Sequence, residues 1–323
     1  MVVQLPAQVL GIAIWVLCYS IISLTCSFLL IWLVWVHHER TSYVALLSYF
    51  TFLSTAASIA QQVHTIVWWR DVKIEQYEHA IINLGSPEIA IAGPSVGVDL
   101  VLFYIQFYSY NVEAMLVFFW AAALTQSVFQ FTDLAKFKSI RHRSNIIAKI
   151  LAVLVPILFV SLLRLDLVQA SLPAFLILAN VTMVISLTLG STLLVVILAK
   201  YIYTRRRFLS WNVWCPCSRN SQGAEQWTVC SMNQSDQCGN IYDRWLVVRF
   251  TIAFVLLGVF QVATISTEVS QLRNGTKEML GSEPDLSNSR ATIDFVLFMP
   301  GVSTGIVVSQ LLNSFKSWTK RRK

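Results

Sequence analysis

The sequence has few charged side chains, and it lacks the motifs that soluble enzymes use. Charged residues make up 13 % of its 323 residues and hydrophobic residues 56 %, whereas a soluble domain carries about 25 % charged residues. It contains no glycine-rich phosphate loop, no H-E-x-x-H, no G-x-S-x-G and no D-D-x-x-D-type magnesium and diphosphate site. These absences exclude an ordinary soluble domain and argue against prenyl-diphosphate chemistry. We expect no cofactor and no metal site.

Long apolar runs are what the sequence has instead. Seven segments are near or above the length of about 20 residues that crosses a bilayer as a helix. The pattern predicts an all-α fold, a polytopic bundle of seven transmembrane helices that forms one membrane domain. The predicted spans cover approximately residues 8–36, 43–69, 99–131, 146–164, 168–203, 245–267 and 292–315.

The basic residues predict an orientation. Fifteen Lys and Arg residues fall in one alternating set of loops and the C-terminal tail, and six fall in the other set. Cytosolic loops carry the excess of positive charge. The N-terminus is therefore expected to be lumenal or outside, and the C-terminus cytosolic. This bias accounts for the net charge of +7, so no nucleic-acid partner is expected.

The connection between the fifth and sixth spans, residues 204–243, is a long cytosolic loop that contains four cysteines. A zinc site is disfavoured because the C-P-C spacing is tighter than the usual C-x2-C. Free or palmitoylated thiols are favoured over disulfides, since the cytosol is reducing. The state of the thiols stays open. The cysteines are Cys215, Cys217, Cys230 and Cys238.

Two glycosylation sequons lie outside the predicted spans. Asn274 begins an N-G-T triplet in a lumenal loop and is the expected glycan acceptor. Asn233 begins an N-Q-S triplet in the cytosolic loop and should not be modified.

A carboxylate interrupts the longest apolar run. Glu113 lies in the middle of the third span, where an unpaired charge costs about 2.5 kcal/mol or more. A seven-residue spacing places further polar and aromatic side chains along the same side of that helix. One interpretation is a buried hydrogen bond that holds helices together, and the other is a polar pocket reached from the Asp99 end. The side chains on this side are Asp99, Gln106, Tyr110, Glu113 and Trp120.

The loop between the second and third spans is the most distinctive piece outside the membrane. Residues 71–82 are predicted to form a short amphipathic helix on the membrane surface. The following G-S-P-E-I-A-I-A-G-P stretch has Pro87 and Pro94, which disfavour a continuing helix. This segment is expected to be either a lid over the mouth of the bundle or an ordinary connector.

A seven-helix receptor is one hypothesis for function. The number and orientation of the spans fit it. However, the third span ends in Q-F-T-D-L, without the acidic-Arg-aromatic triplet of the common receptors, and the seventh lacks Asn-Pro-x-x-Tyr. The seventh span also has no central lysine, which excludes a retinal Schiff base there.

A membrane-embedded biosynthetic protein is the other hypothesis, and here the sequence resembles a known family. The stretches that show this resemblance are ASIAQQVHTIVWW (57–69), GSPEIAIAG (85–93) and DLVLFYIQFYSYNVEAMLVFFWAAALTQSVF (99–129). They resemble the multi-span membrane proteins encoded in fungal indole-diterpene gene clusters, such as those for paxilline and lolitrem. The resemblance implies secondary-metabolite biosynthesis at the endoplasmic reticulum or another intracellular membrane. It brings no established catalytic residues.

Acid-catalysed terpenoid cyclisation is a chemistry that the residues could support. Glu113 is the candidate general acid, because an apolar pocket favours the neutral form of a carboxyl. His64 and Asp99 are further catalytic candidates, and Gln106, Tyr110 and Trp120 are expected to line the pocket. A non-catalytic scaffold for other pathway enzymes is equally open. The expected partners are membrane lipid and either a lipophilic terpenoid or those enzymes.

Overall fold

The computed structural model describes residues 4–83, 86–129, 138–212, 284–299 and 301–303. Within these ranges all regular secondary structure is helical, as the all-α prediction requires. The helices are α1 (Ala7–Val36), α2 (Tyr43–Ile82), α3 (Pro87–Ala92), α4 (Gly97–Phe129), α5 (Lys138–Leu162), α6 (Asp166–Gln169) and α7 (Leu172–Asn212). Residues 288–299 and 301–303 are also helical and are called the C-terminal helical segment below.

Five of these helices are long and apolar enough to cross a membrane: α1, α2, α4, α5 and α7. They correspond to the first five predicted spans. The sixth predicted span, 245–267, lies outside the described residues. The seventh, 292–315, is described only in part, and that part is helical.

The second helix includes the residues predicted to form a short helix of their own. Residues 71–82 are helical as predicted, and they continue α2 beyond a kink to Ile82. Its 40 residues would extend about 60 Å if straight, roughly twice the hydrocarbon thickness of a bilayer. A kink at Trp68, where φ is −114° and ψ is 31°, divides the helix near the predicted end of the span.

Contacts between side chains fix the direction in which each helix runs. Ser20 of α1 bonds Gln62 of α2, whereas Trp35 bonds Tyr49, so α1 and α2 are antiparallel. The helix α4 is antiparallel to α2 and parallel to α7, since Ala114 packs on Met183 and Ala121 packs on Leu194. The C-terminal helical segment runs parallel to α1, because Ser23 reaches the Val302 carbonyl while Val9 belongs to the same apolar cluster as Phe295.

Small and hydroxylated side chains bring the central helices together. The hydroxyls of Ser20, Ser23 and Ser27 are buried along α1 and bond main-chain carbonyls or Gln62. On α7, Gly190 lies directly against the α4 backbone, and a Cβ atom there would be 3.5 Å from the Phe118 Cα. Such close approach is typical of helix pairs in membranes, where packing rather than water exclusion drives association.

Replacing Gly190 with leucine should separate α4 from α7. The larger side chain has no room against the Phe118 backbone, and overpacking of this kind costs about 1–3 kcal/mol. We expect a melting temperature several degrees lower, measured on the detergent-solubilised protein by tryptophan fluorescence.

Gly11→Leu is the matched control, since no atom lies within 4 Å of the site that its Cβ would occupy. This variant should melt like the wild type. An equal loss in both variants would contradict the α4–α7 packing.

Candidate functional site

A ladder of three polar pairs connects α2 and α4. Three side chains of the predicted polar side of α4, Asp99, Gln106 and Glu113, each contact a polar side chain of α2. Their partners in α2 are His64, Gln61 and Ser54. We call these three pairs the polar ladder. The antiparallel course of the helices aligns the rungs, so these six side chains each have a polar partner within the bundle.

The first rung is the His64–Asp99 pair. The Nδ1 atom of His64 lies 3.0 Å from the Oδ1 atom of Asp99, whose side chain is only 4 % exposed, whereas His64 is 28 % exposed. When Asp99 is ionised its carboxylate can only accept, so the imidazole then donates from Nδ1 and Nε2 remains for a ligand. A carboxylate that orients a histidine in this way is the usual companion of a general acid or base.

Two backbone features place this pair at the end of the bundle. Gly97 begins α4 with a φ of +58°, a left-handed conformation that side chains other than glycine rarely adopt. This turn sets Asp99 in the first turn of α4, where the helix dipole favours a negative charge. On α2, His64 comes one turn before the kink at Trp68, and the two rings are 5.1 Å apart.

A cavity of about 210 Å³ lies beside the His64–Asp99 pair. Its wall comes from the α2 residues after the kink and from the residues that lead into α4. The lining side chains are His64, Val72, Glu75, Gln76, Val96, Val98 and Asp99, together with Gly97. The cavity therefore leaves the His64–Asp99 pair accessible at the Asp99 end of α4.

The second and third rungs are more closely packed. Gln106 donates from Nε2 to Oε1 of Gln61 at 2.8 Å. Glu113 is 8 % exposed and accepts from the Ser54 hydroxyl at 3.4 Å, with Thr51 also beside it. Glu113 lies 14 residues after Asp99, or about 21 Å along the helix. One small ligand group therefore cannot contact both carboxyls.

The two predicted aromatic pocket residues lie away from the cavity. The Tyr110 hydroxyl packs against Gly301 of the C-terminal helical segment, where a Cβ atom would be only 2.3 Å away. Trp120 faces α2 beside Tyr43 and Leu47, with a gap of only about 10 Å³, which is at the lower limit for one water molecule. Neither aromatic side chain meets His64 or Asp99.

The loop helix α3 is fixed to the far side of α4. Glu88 accepts a hydrogen bond from the Tyr104 hydroxyl at 2.7 Å and forms a 3.3 Å ion pair with Arg164, whose guanidinium lies 4.5 Å from the Tyr104 ring centroid. Ile91 packs on the apolar cluster that contains Phe175. The connection to α4 can therefore supply Val96 to the cavity wall, beside Val98 in the first turn of α4. No residue spacing in the sequence indicates that Glu88, Tyr104 and Arg164 lie together.

An ion cluster ties α2 to the C-terminal helical segment. Asp294 pairs with Lys73 at 2.7 Å and with Arg290 at 3.5 Å. Nearby, the Ser287 hydroxyl and backbone N–H hold the pKa of Asp285 below its usual value, so this carboxylate is charged at neutral pH. Asp294 lies in the seventh predicted span, and the sequence gives no indication of these partners.

Other predicted sites lie outside the described residues. They are the glycan acceptor Asn274 and the loop cysteines Cys215, Cys217, Cys230 and Cys238. In the described part of the chain, no group of three or more His, Cys, Asp or Glu side chains could hold a metal ion.

No known protein-family model matches the chain, and no curated protein sequence matches it significantly.

The contacts of Glu88 with Tyr104 and Arg164 are expected to hold α3 in place. Glu88→Ala removes the acceptor of Tyr104 and the partner of Arg164, so the connection between α2 and α4 should open more often. We expect cleavage of this connection by a non-specific protease to be several-fold faster than in the wild type, followed by mass spectrometry.

Glu78→Ala serves as the control, because Glu78 is exposed on α2 and has none of these contacts. Equal cleavage rates in the Glu88 variant and the wild type would show that α3 is held by its apolar contacts alone.

Proposed function

We propose that this multi-pass membrane protein takes part in the biosynthesis of lipophilic terpenoids, of the indole-diterpene type that its sequence resembles. Its site of action would be an intracellular membrane such as the endoplasmic reticulum. The observation that supports this most is the His64–Asp99 pair in the wall of the 210 Å³ cavity. A histidine held by a buried carboxylate and open to a cavity is suited to acid–base catalysis.

The proposed reaction is an isomerising cyclisation. Protonated His64 gives its Nε2 proton to an epoxide oxygen, the C–O bond breaks, and the oxygen becomes a hydroxyl. A neighbouring alkene attacks the resulting carbocation and closes a ring, and the neutral imidazole then takes the proton from the adjacent carbon. The atoms balance without an oxidant or reductant. The Trp68 ring, 5.1 Å from His64, can stabilise the cation through its face.

Glu113 is a separate candidate acid. Its distance of about 21 Å along α4 from Asp99 places it far from the cavity, so we assign the proton transfer to His64 first. The predicted catalytic role of Glu113 has its own test in the variant Glu113→Gln. Loss of product at normal protein level would assign a proton donor to this position, and unchanged product would leave it as the partner of Ser54.

The catalytic assignment predicts that His64→Gln and Asp99→Asn abolish product formation. General acid–base catalysis is typically worth 10²–10⁴-fold, so we expect a loss of about a hundredfold or more. The measurement is complementation of a deletion strain, with lipophilic metabolites profiled by mass spectrometry and membrane protein levels checked by immunoblot.

His37→Gln and Asp166→Asn are matched controls, since both side chains are exposed and neither lines the cavity. They should restore the wild-type profile. A normal profile from His64→Gln would overturn the catalytic assignment and favour a scaffold that organises other pathway enzymes.

We further propose seven spans, with a lumenal N-terminus and a cytosolic C-terminus. The helix α7 and the C-terminal helical segment both run in the direction of α1. One crossing in the opposite direction between them completes an alternating set of seven. The excess of basic residues on the proposed cytosolic side supports the orientation.

This topology predicts a glycan on Asn274 and none on Asn233. Asn274→Gln should abolish the mobility shift that glycosidase treatment produces on a gel, and Asn233→Gln should leave that shift unchanged. A glycan on Asn233 would reverse the proposed orientation.

A further inference from the structure

The cavity beside His64 and Asp99 is lined by negative and neutral groups. The carboxyl groups of Glu75 on α2 and Asp99 on α4 both line it, and they are close enough to repel each other. The amide of Gln76 is a third polar group. Apart from His64, no described lining residue is basic. These groups offer acceptors to a ligand that carries O–H or N–H donors, and they disfavour an anion.

Two cations near the cavity, Lys73 and Arg290, are already paired with a carboxylate. Lys73 donates to Gln76 at 3.1 Å and pairs with Asp294 at 2.7 Å. Arg290 also pairs with Asp294, and the charged Asp285 lies within the field of both cations. The carboxylates therefore outnumber the cations at this end of the described bundle. A phosphate group would bring further negative charge to a cavity whose described lining includes no guanidinium or ammonium group.

The rim of the cavity is apolar on the side of α4. Val98, which lines the cavity, is 59 % exposed, and Val101 is 60 % exposed one turn further along. The Trp68 ring beside His64 is also partly exposed. These residues are exposed on helices that are long and apolar enough to cross a membrane, so in a bilayer they would face lipid. A hydrocarbon chain can therefore remain in the bilayer while its polar end enters the cavity.

The size of the cavity supports this mode of binding. Its volume of about 210 Å³ is below the roughly 300–1,000 Å³ of pockets that enclose a whole drug-sized ligand. It accommodates one polar end of a lipophilic molecule. The remainder of such a molecule would lie against the apolar rim.

We propose that the cavity binds the uncharged or cationic, donor-bearing end of a lipophilic molecule and excludes phosphorylated precursors, with Glu75 as the residue that determines this selectivity. The inference rests on the proposed function, since it names the substrate class of the same cavity. It also gives the protein a place in a reaction sequence. The reaction that supplies its substrate must already have removed the diphosphate, by prenyl transfer to an acceptor or by hydrolysis.

Three probes with the same C20 chain test the selectivity. They are geranylgeraniol, geranylgeranylamine and geranylgeranyl diphosphate, which differ in the charge of the polar end. The protein is incubated in phosphatidylcholine nanodiscs with tritiated geranylgeraniol, and each unlabelled probe is added as a competitor. Empty nanodiscs correct for partition into lipid. We expect the amine to compete at least tenfold better than the diphosphate.

Glu75→Lys should reverse this preference at least tenfold in favour of the diphosphate. Glu78→Lys is the matched control, because it makes the same charge change three residues further along α2, on an exposed side chain outside the cavity lining. It should keep the wild-type order. Size-exclusion chromatography verifies that both variants remain folded.

Either of two results would overturn the inference. One is equal competition by the amine and the diphosphate in the wild type, and the other is the same effect from Glu78→Lys as from Glu75→Lys. Failure of the proposed function alone would give a different experimental result. In that case His64→Gln would make normal product while the charge selectivity of binding persisted.

Discussion

Pairing of polar groups inside an apolar bundle is the constraint on which the rest of this structure depends. A lipid environment offers no hydrogen-bond partner, so polar side chains within spans must find one another or face a cavity. The polar ladder between α2 and α4 satisfies this requirement. Because α4 also packs on α5 and α7, the position of the ladder determines the arrangement of the described bundle.

The same constraint explains why the candidate site lies at one end. The middle rungs, Gln61–Gln106 and Ser54–Glu113, are enclosed by neighbouring helices. At the first rung, the α2 kink and the start of α4 at Gly97 separate the two helices and leave the cavity. His64 and Asp99 are therefore both paired with each other and open to a ligand. This combination distinguishes a candidate catalytic pair from a structural hydrogen bond.

The outcome for Glu113 shows how far a single polar residue can be interpreted. The sequence identified it as the costliest group in the longest apolar run, and the seven-residue spacing placed it on one side of α4 with Asp99 and Gln106. The structure places all three against α2. However, helical periodicity shows on which side of a helix a residue lies. It does not show whether a neighbouring helix or a cavity lies next to that residue. Glu113 lies against the hydroxyl of Ser54, whereas Asp99 lines a cavity.

The sequence by itself determined the helical class, the five described candidate spans and the polar side of α4, because these follow from the length and period of apolar runs. It also predicted a helix over residues 71–82, but an amphipathic pattern does not show that this helix joins the second span through a kink at Trp68. Only the tertiary structure decided that His64 pairs with Asp99 and that Glu88 holds α3 through Tyr104 and Arg164. Such pairs depend on the register and tilt between helices, which no local sequence pattern records.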